Sequence, residues 1–428
     1  MTAGGKYIRL VLVAALLSLT ACADPQSSGD RQEIKLWVAP NEVQEAFWKI
    51  AVDRWNESGM GLPVSFTTIP ATGSSEKAIL TALVSGKAPD ISTNIFSGFA
   101  AQLADLGQLQ ELSAMEGYEE LIAARHMGRI MEDWDQGGRK YVFPVYSNPT
   151  LIWWRGDILR DLGIYSVPQT FDDVYALSEK YAARDNKYGM QVIAGNGWAD
   201  RWFDFISFYY ASANGAPYIK AGRATYDNPA GHAVLEFMDR MFRNGWTASD
   251  FDSDEPLVTG LVAGAVRGPW DIAYFKRMYP EILEKIIIGP MITAQKVEGR
   301  PHTFADSKGL VIFRDSKLKK EAFAFISWVF SNDELSLLWL EKTGFPPARG
   351  DLADNPVFRD FYRANPMARQ YAAYVDVAIP PAFIESTIDV QKTMGIEMIE
   401  PVQFGTKDTR TAMTDAIRRT DKLLGLLQ

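Results

Sequence analysis

Two kinds of hydrophobic pattern alternate along the first hundred residues of the chain. Apolar and polar residues alternate, as they do in strands, in residues 34–38, 64–69 and 90–93. Apolar side chains recur three and four positions apart in residues 41–55 and 75–85, which predicts two amphipathic helices. Strands that alternate with amphipathic helices predict a parallel sheet and an α/β fold.

The remainder of the chain is dominated by helical periodicity. It extends over residues 171–184, 202–211, 228–242 and 318–331. Residues 140–154 are rich in β-branched and aromatic residues but are interrupted by Pro144 and Pro149. This segment predicts extended chain that crosses between two lobes, and residues 308–313 predict another strand.

Length and charge restrict the class of protein. A chain of 428 residues exceeds the size at which a single core stops growing, about 250–300 residues, so two domains or lobes are expected. The formal net charge is −9. An acidic protein is unsuited to nucleic acid, which requires clustered Lys and Arg, and to adhesion on an anionic membrane surface.

The amino terminus has the pattern of an export signal. Lys6 and Arg9 precede an apolar segment over residues 10–19, which is too short for a membrane span of about 20 residues. The segment ends in Leu-Thr-Ala-Cys at residues 19–22, which resembles a bacterial lipobox. The resemblance implies a signal peptide over residues 1–21, lipidation of Cys22 and a lipidated tether over residues 22–32.

This processing would fix the location and the charge of the mature chain. Loss of Lys6 and Arg9 changes the formal charge from −9 to −11. Cys22 is the only cysteine, so no intramolecular disulfide is expected. We expect an exported protein anchored by lipid at the cell membrane, on its periplasmic or extracellular face. Ala23 leaves the choice of membrane in a Gram-negative host open.

A run of small residues ends at Gly268-Pro269, and Trp270 and Asp271 follow directly. Gly permits unusual backbone angles and Pro fixes φ, so this sequence predicts an aromatic side chain at a sharp turn. Taken alone, Trp270 is more typical of a packed structural residue than of a binding residue.

Four segments of this chain resemble the family 1 extracellular solute-binding proteins of ABC importers, which include maltose-type sugar binders. They are residues 87–91, 141–154, 261–270 and 308–330. The third is similar to the family's Gly-Lys-Ala-Ala-Met run ending in Gly-Pro-Trp, although residues 264–267 lack the lysine and the methionine. The order and spacing of the four segments extend the resemblance over nearly the whole mature chain.

The resemblance implies a type II periplasmic-binding-protein-like fold of two discontinuous α/β lobes joined by a hinge. We expect lobe one at residues 33–145 plus 298–345, and lobe two at residues 146–297 plus 346–428. A ligand would lie in the cleft between them and be delivered to the permease subunits in the membrane. We expect a monomer without a cofactor. No metal is expected, because the three histidines are too scattered to form a zinc motif.

The resemblance also suggests a sugar ligand, whose chemistry defines the candidate binding residues. Sugar rings stack on aromatic planes, and their hydroxyls bind amides and carboxylates. Trp270 aligns with the family's cleft tryptophan, and Asp271 lies beside it. The remaining candidates are Asn94, Tyr146, Asn148, Asn196, Trp198, Trp202, Trp37, Ser74, Asp306 and Arg349.

Several of these candidates have a structural alternative. Trp202 and Trp37 are also consistent with core packing, and Ser74 with a helix cap. Asn94 and Asn148 are also consistent with turn formation, and the charged Asp306 and Arg349 with solvent exposure.

Two other functions remain open. The same fold could bind a glycerol phosphodiester or a polyamine, and a secreted glycosidase would also contain aromatic and acidic residues. No Gly-x-Ser-x-Gly, P-loop or zinc motif supports an enzyme.

Overall fold

A computed structural model describes residues 32–70 and 73–426 of the chain. The predicted signal peptide, Cys22 and all but the last residue of the predicted tether lie outside these residues.

The described chain contains strands and helices in alternation. The strands are β1 (Ile34–Val38), β2 (Val64–Thr68), β3 (Ile91–Ile95), β4 (Phe143–Pro149), β5 (Leu151–Arg155), β6 (Ile219–Lys220), β7 (Arg223–Ala224), β8 (Gly264–Arg267), β9 (Ile286–Gly289), β10 (Thr303–Ile312) and β11 (Ala378–Ile379). The helices are α1 (Glu42–Ser58), α2 (Ser75–Val84), α3 (Ser97–Asp105), α4 (Tyr118–Ala124), α5 (Gly128–Glu132), α6 (Gly156–Asp161), α7 (Phe171–Ala182), α8 (Trp198–Ser212), α9 (Pro229–Arg243), α10 (Pro256–Thr259), α11 (Trp270–Met278), α12 (Pro280–Leu283), α13 (Lys319–Ser331), α14 (Asp333–Thr343), α15 (Arg359–Ala364), α16 (Pro366–Ala372), α17 (Thr387–Thr393), α18 (Glu400–Gln403) and α19 (Thr409–Leu423). Short 3-10 turns cover Leu112–Ala114, Pro356–Phe358 and Val375–Val377, and a π-helix covers Met394–Ile399.

Lobe one is built on a six-stranded sheet whose β1 pairs in parallel with β2 and β3. The alternation of β1 places Ile34, Leu36 and Val38 in the core. Asn41 accepts a hydrogen bond from the backbone N–H of Gln44 and caps α1. The predicted parallel arrangement therefore holds for these three strands, while β10 joins the sheet antiparallel to β3 and β4.

Lobe two is built around β5, which lies between β8 and β9 in an antiparallel sheet. Both faces of β5 are buried, which explains its run of apolar residues. Ile152 and Trp154 pack with the large lobe-two core, whereas Leu151 and Trp153 pack with a smaller cluster on the opposite face. The predicted two-lobed α/β fold is confirmed.

Each lobe has a core that draws on two separate parts of the chain. The first core draws on residues 34–146 and 310–375, and the second on residues 152–304 and 379–416. Residues 346–362 thus pack with lobe one, although the sequence analysis assigned them to lobe two, while Tyr371 packs with the smaller cluster around Trp153. The reason is that Leu352, Phe358 and Tyr362 are buried against lobe-one helices after the chain leaves α14.

The described chain passes between the lobes at three places. These are the β4–β5 junction, the middle of β10, and the segment that enters β11. The three are one hydrogen-bonded unit, because β10 pairs with both β4 and β11. Buried hydroxyls reinforce it, with Thr150 Oγ1 lying 2.8 Å from Thr303 Oγ1 and Ser307 Oγ donating to Ser147 Oγ over 3.2 Å.

Candidate functional site

A cavity of about 370 Å³ lies where the two lobes face each other across these crossings. Five of the residues that line it are binding candidates from the sequence. The lining residues are Ala39, Pro40, Asn41, Gln44, Asn94, Tyr146, Asn148, Trp270, Asp306, Lys308 and Phe345. Most come from loops and strand ends, which is where open α/β sheets bind ligands.

Asn94 contributes an amide from lobe one, near the end of β3. Its φ is 63°, a left-handed conformation that Asn adopts more readily than most residues. Asn94 Nδ2 donates to Ser75 Oγ over 2.9 Å, which ties the amide to the start of α2. This bond uses only part of the donor capacity of the amide, so Asn94 can still contact a ligand.

The base of the cavity is formed by Asn148 on β4 and Asp306 on β10, which face each other in the antiparallel register. Asn148 is only 1% exposed, and neither Nδ2 nor Oδ1 has a hydrogen-bond partner of ordinary geometry among the described residues. Burial raises the pKa of Asp306, and the nearby Lys308 and Asn148 oppose that shift. Two polar groups of high hydrogen-bonding capacity therefore meet at the floor of the cleft.

Trp270 forms the lobe-two side of the cavity. It is the first residue of α11 and follows β8 through the Gly268-Pro269 turn. The ring lies over Gly268 so closely that a Cβ at that position would overlap it, which explains the need for glycine there. The ring also packs edge-on against Phe203, with centroids 6.3 Å apart, and Phe203 in turn packs against Phe304. Trp270 is half-buried, so part of its surface remains free.

Asp271 lies next to Trp270 but does not line the cavity. Its carboxylate is 3.7 Å from the guanidinium of Arg267, which also pairs with Glu255 at 2.9 Å. Burial raises the pKa of Asp271, and Arg267 opposes that shift. The structure therefore places Asp271 in an ion-pair network behind the tryptophan.

The predicted 196–202 cluster divides into two parts. Asn196 is exposed and Trp198 is half-buried at the start of α8. Asp200 accepts a hydrogen bond from the N–H of Gly197, and Asp204 accepts one from the N–H of Ala194 over 2.7 Å. These two carboxylates hold the loop in place, while neither Asn196 nor Trp198 lines the cavity.

Trp202 is a core residue of lobe two, where it is 4% exposed. Its ring packs edge-on against Phe304 at 5.3 Å and against Tyr218 at 6.2 Å. Trp202 therefore packs in the core, as the alternative in the sequence analysis had it, and does not line the cavity.

Arg349 is likewise placed inside lobe one instead of at the cleft. Its side chain is 1% exposed and binds Asp333 at 2.6 Å and both oxygens of Asp351 at 2.5 and 2.6 Å. All three carboxylate contacts are internal, so the guanidinium is committed to a structural ion-pair cluster.

Ser74 and Trp37 also have structural positions. Ser74 accepts a hydrogen bond from the N–H of Lys77 and caps α2. Trp37 lies within β1 and packs against the lobe-one core. Tyr146 has both a structural position and a place in the cavity. It stacks on Trp339 with ring centroids 5.9 Å apart, and it also lines the cavity.

The sequence-based candidates did not include Phe203, which packs on Trp270, or six residues that line the cavity: Ala39, Pro40, Asn41, Gln44, Lys308 and Phe345. Lys308 follows Asp306 by two positions on β10, so strand alternation places both on one face. That spacing is the signal that would have identified Lys308. Phe203 could not be distinguished from its buried neighbour Trp202 without knowing how α8 is oriented.

Comparison with known proteins identifies the family. The sequence profile of the bacterial extracellular solute-binding protein family matches residues 39–335, which is more than half of the chain. The chain belongs to this family.

Relatives of this solute-binding protein have been described in several bacteria. An arabinooligosaccharide-binding protein of Halalkalibacterium halodurans is 22% identical over 348 residues, covering 77% of this chain and 75% of the relative. The crystal structure of an uncharacterized protein of Listeria monocytogenes is 30% identical, with a TM-score of 0.87 over 92% of this chain and 99% of that one. The sugar-binding protein MalE of Xanthomonas citri superimposes with a TM-score of 0.76 at 18% identity over 92% of this chain and 98% of that one, which supports the fold.

No helix within residues 32–70 and 73–426 has both the length and the apolar character of a membrane span. The same residues contain no group of three or more His, Cys, Asp or Glu side chains arranged to bind a metal ion.

Proposed function

We propose that this solute-binding protein is the sugar-binding component of an ABC importer. It captures a mono- or oligosaccharide in the cavity between the lobes and delivers it to the permease subunits. The observation that carries the proposal is the buried amide of Asn148, which has no hydrogen-bond partner of ordinary geometry among the described residues and lies beside Asp306 at the base of the cavity.

A sugar hydroxyl is suited to this pair of side chains. The hydroxyl donates one hydrogen bond and accepts others, so it can donate to Asp306 and accept from the Asn148 amide. Trp270 on lobe two offers an aromatic surface for the C–H face of a ring. Asn94 on lobe one offers a further amide on the opposite side.

The charge of the cavity favours a neutral ligand over the other cargoes considered. Among its lining residues, Asp306 contributes one negative and Lys308 one positive charge. A polyamine would need several carboxylates, and a phosphodiester would need an excess of positive groups. A neutral polyol requires neither, and it is compatible with the amides that line the cavity.

The number of carboxylates that line the cavity distinguishes a binding protein from a glycosidase. Glycosidases use two carboxylates on either side of the bond that is cleaved. Asp306 is the single carboxylate among the residues that line this cavity, and Asp271 is paired with Arg267. A glycosidase is therefore the less favoured function.

Delivery to a permease requires the protein to be exported and held at the membrane. The apolar segment over residues 10–19 and the lipobox-like sequence ending in Cys22 would provide this, with the chain released as a lipid-anchored monomer. Labelling of cells with a palmitate analogue tests the anchor, since Cys22→Ser should remove both the label and membrane retention.

Titration calorimetry against a panel of mono- and oligosaccharides tests the ligand class. We expect one-to-one saturable binding of at least one carbohydrate and none of a polyamine or glycerol phosphodiester. Binding of a non-sugar alone would refute the sugar proposal. Release of reducing sugar from a bound glycoside would refute a pure binding role.

A further inference from the structure

A second cavity lies on lobe one and has a strongly basic lining. Its volume is about 320 Å³, and it is formed by the segment that includes α15 and α16. The lining residues are Ala353, Asp354, Asn355, Arg359, Tyr362, Arg363 and Arg369. None of them lines the cavity between the lobes, so this is a separate site.

Three guanidinium groups face one carboxylate in this cavity, on a chain whose net charge is −9. Within the described residues, Arg359 and Arg369 have no ion-pair or hydrogen-bond partner for their side chains. Arg363 pairs with Asp360 at 3.0 Å, but both side chains are more than 70% exposed, so water weakens this attraction. The local excess of positive charge is therefore not neutralised by the protein itself.

A buried hydroxyl beside the arginines also lacks a partner. Tyr362 is 4% exposed, and its hydroxyl makes no hydrogen bond among the described residues. The neighbouring Asn355 does not serve it: its amide nitrogen donates to Asp333 and Asp351, and its oxygen accepts from the N–H of Val357. A phenol that is buried without an acceptor is uncommon, and an oxyanion in the adjacent cavity would supply one.

We propose that this cavity binds a small phosphate monoester. Guanidinium groups bind phosphate oxygens in pairs, and Arg359 and Arg369 are the two in this lining without an ion pair among the described residues. The cavity lies at the lower end of the volume range of ligand sites, about 300–1,000 Å³, which fits a small ligand. Free phosphate esters and the monoester headgroup of phosphatidic acid share this chemistry.

Glycerol 3-phosphate and inorganic phosphate are suitable probes for titration calorimetry. We expect one-to-one binding that weakens by about tenfold or more in the Arg359→Gln/Arg369→Gln variant. Tyr362→Phe keeps the ring and removes the hydroxyl, so it should weaken binding by a smaller factor. Arg54→Gln is the matched control, because Arg54 is an exposed lobe-one arginine on α1 without an ion pair among the described residues.

Flotation with phosphatidylcholine vesicles, with and without phosphatidic acid, distinguishes the two sources of the phosphate group. Wild type and double variant carry the same amino terminus, so a difference in flotation reports on the arginines alone. If the wild type floats better than the double variant only when phosphatidic acid is present, the ligand is the lipid headgroup. If the wild type binds only the soluble esters, the ligand is a free phosphate ester.

Equal binding of all probes by the wild type and the double variant would refute the proposal, as would no binding of any probe. Thermal unfolding of each variant shows whether lobe one remains folded. The proposal does not depend on the ligand of the interlobe cleft. The double variant should bind that ligand as the wild type does, so failure of one proposal is separate from failure of the other.

Discussion

Replacement of Asn148 by Leu separates the two roles that a buried amide can have. Asn148 is 1% exposed, and neither of its polar groups has a hydrogen-bond partner of ordinary geometry among the described residues. A buried polar group without a partner costs about 1–3 kcal/mol of stability. Leu has a similar volume and no polar atoms, so Asn148→Leu should raise the free energy of unfolding of the ligand-free protein by about 1–3 kcal/mol.

The same substitution should weaken ligand binding. A bound hydroxyl that satisfies the amide recovers the cost described above, and Leu cannot provide this bond. The loss of about 1–3 kcal/mol corresponds to roughly 5- to 150-fold weaker binding. Urea unfolding without ligand and titration calorimetry with the sugar found in the panel measure the two effects independently.

Ser147→Ala is a suitable control, because it removes a hydroxyl from the same crossing without altering the cavity lining. Ser147 is bonded to Ser307, so its loss should cost about 1 kcal/mol of stability and leave affinity nearly unchanged. If Asn148→Leu instead lowered stability and left affinity unchanged, the amide would be serving the fold, and the central observation for the sugar site would be lost.

Three further predictions concern separate parts of the molecule. Trp270→Ala should weaken sugar binding by about tenfold with little change in melting temperature, since it removes stacking worth about 1.5 kcal/mol; unchanged affinity in calorimetry would exclude Trp270 from the site. Arg349→Met should lower the free energy of unfolding by about 3–5 kcal/mol in urea, because it leaves two aspartates without their buried partner, while sugar affinity in the folded protein stays the same. Burial raises the pKa of Asp204 to about 8, so the folded state holds a proton that the unfolded chain releases above about pH 4, and stability should fall as the pH rises between these values. Asp204→Asn should flatten that decline in unfolding curves at pH 5 and pH 7.5, and an equally steep decline in the variant would contradict the assignment.

Local sequence patterns predicted many of the strands and helices, and they predicted the tryptophan that forms the lobe-two side of the cavity. The small residues of β8 and the Gly268-Pro269 turn were visible in the sequence, and they place Trp270 at the start of a helix that faces the cleft. The helix cap at Asn41 likewise depends only on contacts between residues a few positions apart. Features of this kind require no knowledge of the tertiary fold.

The base of the cavity depends on pairing between distant strands. Asn148 and Asp306 become neighbours only through the register of β4 with β10, which no short pattern specifies. Similarly, Trp202 and Phe203 are adjacent aromatic residues on α8, and successive residues of a helix point about 100° apart. Which of them enters the core depends on how the helix packs, and the sequence analysis selected the buried one.

The packing of the segment after residue 345 also depends on distant contacts. The sequence analysis ended lobe one at residue 345, but Leu352, Phe358 and Tyr362 pack with the lobe-one core. Burial of Arg349 with Asp333 and Asp351 fixes this segment to α14. An isolated arginine in the sequence carries no sign of such partners.

The arrangement of the site also predicts an order of contacts during binding. Asn148 and Asp306 lie opposite each other on paired strands, so they should stay together whether the lobes are open or closed. Trp270 and Asn94 belong to different lobes, so hinge motion changes the distance between them. A sugar should therefore meet the base of the cavity first and the tryptophan when the lobes close. Stopped-flow fluorescence should then show that Trp270→Phe mainly raises the dissociation rate, whereas Asn148→Leu also lowers the association rate; a purely associative effect of Trp270→Phe would reverse the order.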